Sequence, residues 1–148
     1  MAPTVRPPAV AGSFYARDAA QLEASVRGYL AEAQPADGGV PVRILIVPHA
    51  GYVYSGPVAA TGYHLIEQME GLERIVMLGP SHYVWFPGLA LPGAEALETP
   101  LGLVAVDAEA AAEMSVGSLV AAVPAAHERE HSLEVQLPFL QVVAPGVP

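Results

Sequence analysis

The stretch Arg43-Ile44-Leu45-Ile46-Val47, followed by Pro48-His49-Ala50-Gly51-Tyr52-Val53-Tyr54-Ser55-Gly56, decides the fold. A short β-branched run reads as a fully buried parallel strand, and Pro48 stops its pairing because proline has no N–H to donate. His49 then falls at the carboxyl end of that strand, the edge of an α/β sheet where loops converge and ligands collect. Ser55-Gly56-Pro57 predicts a helix start, since proline is tolerated in a first turn. The helix runs to about Gln68, with Ala59, Gly62, Tyr63, Ile66 and Met69 on its packed face. Beyond Gly71, Arg74-Ile75-Val76-Met77-Leu78 predicts a second buried strand, and Gly79-Pro80-Ser81-His82-Tyr83 repeats the succession of strand, proline and histidine. Strand, helix and strand make a right-handed βαβ unit with parallel strands. Neighbouring strand ends lie roughly 5 Å apart, so the two loops can present His49 and His82 to one ion.

A chain of 148 residues suits a single domain spanning residues 1–148. With 53% hydrophobic and only 14% charged residues, against roughly a quarter charged in ordinary globular chains, and a mean hydropathy of +0.40, polar surface is scarce. Either a second copy in a homo-oligomer covers the apolar excess, or the chain belongs to a larger fold. A net charge of −9 with 6 Lys+Arg argues against a nucleic-acid partner. The absence of cysteine excludes disulfides and thiolate metal ligands from these residues. No apolar run approaches a membrane span and the first residues lack a signal peptide's hydrophobic region, so no membrane association and a cytoplasmic location are expected.

Residues 1–15 are proline-rich and predict an extended arm pinned by Phe14 and Tyr15. Asp18 caps a helix from about Ala19 to Ala33, where Leu22, Val26, Tyr29 and Leu30 recur at helical spacing and Pro35 to Gly39 end it. Leu89 to Pro92 and Leu101 to Val106 predict short strands around a turn at Glu98-Thr99-Pro100. Asp107 caps a short helix to about Met114, and Leu119 to Val123 is a further apolar run. His127-Glu128-Arg129-Glu130-His131 predicts a polar loop opening a helix near Ser132, with Leu133, Leu137 and Leu140 buried, Glu134 at its positive end and Pro138 kinking or shortening it.

Two imidazoles at one sheet edge suit iron, zinc or copper; the alternative is two loop histidines bonded to local backbone. His131 is the third candidate, as ligand or general acid/base, or else a first-turn residue bonded to Glu128 or Glu134. Tyr52, Tyr54, Ser81 and Tyr83 flank the histidines as candidate substrate-binding groups or as core packing. His127 is expected at a rim and His64 on a solvated helix face, neither with a role. There is no phosphate-binding P-loop and no Gly-x-Ser-x-Gly elbow.

Five separated motifs, Arg6-Pro7-Pro8-Ala9-Val10-Ala11-Gly12-Ser13-Phe14-Tyr15, Pro48 to Gly56, Leu78-Gly79-Pro80-Ser81-His82, Glu98-Thr99-Pro100-Leu101-Gly102 and Glu130-His131-Ser132-Leu133-Glu134-Val135-Gln136-Leu137-Pro138, all in order, resemble the Memo family. The resemblance implies a mostly parallel α/β sheet flanked by helices, similar to class III non-haem iron extradiol dioxygenases. It also implies iron or copper held by His49 and His82, with His131 in the same pocket and a cysteine from a later half as third ligand. The chain resembles only the front part of that family, so an incomplete version of the fold, truncated after the helix near residue 132, is expected. Without a cysteine the third ligand is missing, and Glu128, Glu130 or Glu134 stand as substitute carboxylates. The implied function is redox or dioxygenase-type chemistry in the AmmeMemoRadiSam system. An AMMECR-type domain protein and a radical SAM protein are the implied partners, and a small molecule or peptide the implied ligand. The alternatives are a non-enzymatic module binding phosphopeptides or other anions, and an inactive fragment.

Overall fold

The computed structural model describes residues 4–34 and 42–148; the Pro35 to Gly39 turn expected after the first helix lies outside them. In chain order the elements are β1 (Val5–Arg6), α1 (Ala19–Glu32), α2 (Tyr52–Glu67), β2 (Leu89–Leu91), β3 (Ala96–Thr99), β4 (Gly102–Ala105), α3 (Ala108–Met114), β5 (Val120–Ala122), α4 (Pro124–Glu128) and α5 (Leu137–Val143).

Helix α1 starts where the Asp18 carboxylate accepts the Gln21 N–H at 2.9 Å, and Leu22, Val26 and Leu30 form its buried stripe, as the spacing predicts. Asp18→Ala is expected to lower stability by about 1 kcal/mol. Urea denaturation reads this directly; an unmoved midpoint would mean that packing alone holds the first turn. Helix α2 begins at Tyr52 instead of Ser55. The Gly51 carbonyl accepts the Tyr54 and Ser55 N–H groups at 2.9 and 3.0 Å, and the Phe14 carbonyl takes the Tyr52 N–H at 2.8 Å. Pro57 therefore lies inside the helix, beyond its first turn.

Helix α5 follows a single 3-10 turn over Glu134–Gln136, so the α-helix begins at Leu137 and is shorter than one running from Ser132, with Pro138 in its first turn, where proline is tolerated. Phe139 is fully buried between Tyr63, stacked at 4.9 Å, and Tyr52 at 5.2 Å. Around it α1, α2 and α5 close one core that also takes in Tyr15 from the N-terminal arm.

The sheets are small. β1 runs parallel to β3, which pairs antiparallel with β4, and β2 runs parallel to β5. β3 carries the chain through Thr99, so the turn falls at Pro100–Leu101. The architecture is mixed α/β, but the mostly parallel central sheet expected from the sequence is not what the two key runs build. Residues 43–47 and 74–78 carry no regular secondary structure and join no ladder. Among the described residues their single backbone bond runs from the Ile75 N–H to the Pro148 carbonyl, at 3.0 Å. Leu45, Val47, Ile75 and Met77 turn toward the helices, whereas Ile44, Ile46, Val76 and Leu78 are 83%, 97%, 62% and 77% exposed. An unbroken apolar run gives no sign of which alternate residues are covered, and here one face is bare. No helix among the described residues is long and apolar enough to cross a membrane.

Candidate metal centre

Both strand-like runs deliver their histidines to one place. Gly62 lets α2 approach the first run so closely that a Cβ there would meet Val47 Cγ1 at 2.9 Å. The Pro48 carbonyl is then held by Gln136 Nε2 at 3.2 Å, and Gln136 is fixed in turn by the Tyr63 hydroxyl, donating at 2.7 Å. On the second loop the Pro80 carbonyl accepts the Ser132 hydroxyl at 2.8 Å. Gly79 is required beside it, because a Cβ would stand 2.8 Å from Ser132 Oγ. Alternate residues of one segment thus grip separate parts of the chain. Glu130 and Ser132 hold the His82 loop and Gln136 the His49 loop. Glu134 holds the arm, through Arg6, the Ala9 and Val10 N–H groups and the Tyr15 hydroxyl.

The result is a cluster of three imidazoles. Ring centroids of His49 and His82 lie 5.4 Å apart, of His49 and His131 6.0 Å, and of His82 and His131 4.6 Å with the planes nearly parallel at 17°. One nitrogen from each ring lies within 4.8 Å of the others. Nitrogens bound to one tetrahedral ion at about 2.1 Å stand about 3.4 Å apart, so small side-chain rotations would close the set. His131 Nδ1 is buried with no hydrogen-bond partner. Burial, together with the neighbouring His82 and His49, lowers the His131 pKa against the opposing pull of Glu130, which favours the neutral form a metal requires. The donor set therefore fits a transition metal.

Glu130 organises this cluster. Its Oε2 accepts the His82 N–H at 2.6 Å, and its Oε1 faces His82 Nδ1 at 2.9 Å while accepting the His131 and Ser132 N–H groups at 2.8 and 2.9 Å. Burial pushes its carboxyl up, but the bonds from His82, Ser132 and His131 outweigh that and hold it at about 2. An anionic carboxylate only accepts, so His82 Nδ1 carries the proton that faces it, and Nε2 is the nitrogen the neutral ring would offer a metal. The folded carboxyl titrates at about 2 against 4.5 without these contacts. The stabilisation is complete above pH 4.5 and is lost as pH falls through 2. Denaturation midpoints followed across that window are expected to fall less in Glu130→Gln than in the parent chain; equal falls would remove Glu130 as a cause.

The cluster opens on a cleft of about 590 Å³ lined by Phe14, His49, Tyr54 and His131 among others. Tyr54 is 83% exposed there, and the Phe14 ring packs against His131 at 4.7 Å. Tyr52 lies in the core, with its hydroxyl donating to the Val135 carbonyl at 2.7 Å. The Ser81 hydroxyl donates within its own turn to Val84, at 2.7 Å. Tyr83 is half exposed beneath the Arg129 guanidinium, 5.0 Å from its ring centre. His127 sits on α4 with Nε2 3.0 Å from the Ala90 carbonyl, and His64 lies 3.7 Å from Glu67. Of the three carboxylates considered as ligands, Glu134 is committed to the arm, Glu128 is exposed, and Glu130 supports His82 and the His131 backbone. The sequence reading took Phe14 only as an aromatic pinning the arm and missed Ser132 and Gln136 altogether; for these two, polar residues at every second position through an apolar segment were the available signal.

A family model described as Memo-like protein matches residues 6–147. The chain belongs to the Memo-like family. A MEMO1 family protein of Ignicoccus hospitalis is 44% identical to this Memo-like chain over 147 residues, covering 93% of the chain and 51% of that protein. The MEMO1 family proteins of Metallosphaera sedula and Aquifex aeolicus are 43% and 42% identical, covering 92% and 93% of the chain and 51% and 49% of their own lengths. The chain spans about half the length of the curated relatives it matches.

Proposed function

We propose that His49, His82 and His131 together hold an iron or copper ion, and that this Memo-like chain contributes that site to redox or dioxygenase-type chemistry. The observation that carries the reading is the convergence of three imidazole nitrogens within 4.8 Å. A histidine as third ligand is compatible with either metal, since both accept neutral imidazole. When bound, such an ion supplies open coordination positions and a redox couple. The chain's own residues do the rest. Glu130 fixes the tautomer and angle of His82, Phe14 packs over His131, and the exposed Tyr54 lines the cleft as a candidate contact for a polar ligand.

A role within the AmmeMemoRadiSam system, with AMMECR-type and radical SAM partners, and a likeness to extradiol dioxygenases in fold belong to the same proposal. Anion recognition has less support, because no Lys or Arg is among the described residues lining the cleft and Glu130 places a negative charge beside His82. Titration of the full chain with Fe(II) and with Cu(II), beside His49→Ala and His82→Ala, tests the proposal. Binding that survives both replacements overturns it.

A further inference from the structure

The Glu130 carboxylate orients the His82 ring, whereas among the described residues the His49 ring has no hydrogen-bond partner of its own. Its place is set through the backbone. The carbonyl of Pro48, one residue before His49, accepts Gln136 Nε2 at 3.2 Å, and the same nitrogen donates to the carbonyl of Ser132, one residue after His131, at 3.3 Å. One amide thus joins the loop of His49 to the segment of His131. Those two rings lie farthest apart in the cluster, at 6.0 Å, and Glu130 bridges only His82 to His131.

Only one orientation of that amide serves. With Nε2 toward the two carbonyls, Oε1 receives the buried Tyr63 hydroxyl at 2.7 Å. Turned over, Oε1 would face two carbonyl oxygens with no proton to give. The Tyr63 ring is itself held, stacked on Phe139 at 4.9 Å with the planes 10° apart. We propose that Gln136 is a positioning residue, locked by Tyr63, that sets the distance of His49 from His131 and so keeps the three imidazoles close enough to act as one set. Its influence on metal affinity rests on the metal site proposed above; its influence on the spacing of the rings does not. A His49 loop released from Gln136 would have to be ordered anew when an ion binds, and that entropy would come out of the affinity.

Gln136→Met in the full chain tests this, since methionine keeps an unbranched side chain and removes the amide. Without metal, nuclear Overhauser contacts between ring protons of His49 and His131 are expected in the parent chain and should be lost in the variant, while those between His82 and His131, 4.6 Å apart, persist. With Zn(II) as the probe, affinity should fall by about 10- to 100-fold, the range found for outer partners of a ligand. Tyr63→Phe removes a single hydroxyl and should move both readouts the same way by less, which keeps the test open if Gln136→Met fails to fold. Val26→Ala, on the buried stripe of α1, controls for lost stability alone and should change neither. Ring contacts of His49 with His131 that survive both variants, an equal loss of the contacts between His82 and His131, or a fall in affinity matched by Val26→Ala would each overturn the proposal. A parent chain that binds no Zn(II), yet loses the His49 contacts in Gln136→Met, would overturn the metal reading and support the positioning role.

Discussion

Glu134→Ala is expected to destabilise the protein by about 3–5 kcal/mol, the cost of leaving a buried cation without its counter-charge. The Arg6 and Glu134 side chains are 9% and 1% exposed, so neither can turn to water when the other is removed. The carboxylate also accepts the Ala9 and Val10 N–H groups at 2.8 and 3.0 Å and the Tyr15 hydroxyl at 2.5 Å, and all three donors would lose their partner. Arg6 keeps its bonds to the carbonyls of His127 and Glu130, which is why the loss stays within that range. For a domain of this size the melting temperature should drop by roughly 10 °C or more. Glu134→Gln separates charge from hydrogen bonding, since the amide can still accept from one backbone N–H; it should recover only a minor part of the loss. The damage should also reach the cleft. The arm carries Phe14, whose ring packs on His131 and whose carbonyl starts α2 through the Tyr52 N–H. A change below about 1 kcal/mol in Glu134→Ala would show that the arm is held by packing and that the ion pair contributes little.

That network bears on what could be read from the sequence. The helices were legible where an amphipathic stripe met a cap: Asp18 with Leu22, Val26 and Leu30 gave α1, and Asp107 gave α3. The repeated order of apolar run, proline and histidine was enough to bring His49 and His82 together, and their rings do lie 5.4 Å apart, although the runs before them form no common sheet edge. The state of the runs themselves was not legible. Ile44, Ile46, Val76 and Leu78 look as buried as their neighbours when every position is apolar, and only three-dimensional packing shows which half is covered. Nor could charge pattern reveal Glu130 and Glu134 as inward-facing. A carboxylate in an acidic chain reads as solvated surface, and its burial here depends on backbone N–H donors that distant segments bring to it. The start of α2 was misplaced for a related reason, since the Phe14 carbonyl that satisfies the Tyr52 N–H lies far away in sequence.

His49→Ala and His82→Ala should each weaken Fe(II) or Cu(II) binding by more than about 100-fold, because even an outer partner of a ligand is worth 10- to 100-fold. Glu130→Ala belongs to that lesser class. It leaves all three imidazoles in place but removes the acceptor that keeps the proton on His82 Nδ1 and the bonds that hold the His131 and Ser132 backbone. A graded series is therefore expected, with either histidine replacement most severe, Glu130→Ala intermediate, and His64→Ala, paired with Glu67 outside the cluster, without effect. The grading matters because scattered surface histidines also bind these metals weakly, and they would lose affinity by equal small steps at every replacement. Affinity should fall as the solution is acidified, since each imidazole must be neutral to ligate. Calorimetric titration supplies the affinities, and far-ultraviolet circular dichroism on each variant confirms that the fold persists. The parent chain should bind one ion with all three rings engaged, visible as simultaneous shifts of the His49, His82 and His131 ring resonances when a diamagnetic substitute such as Zn(II) is added. Shifts confined to the exposed His82, with His49 and His131 unmoved, would mean that the three rings are neighbours by packing alone.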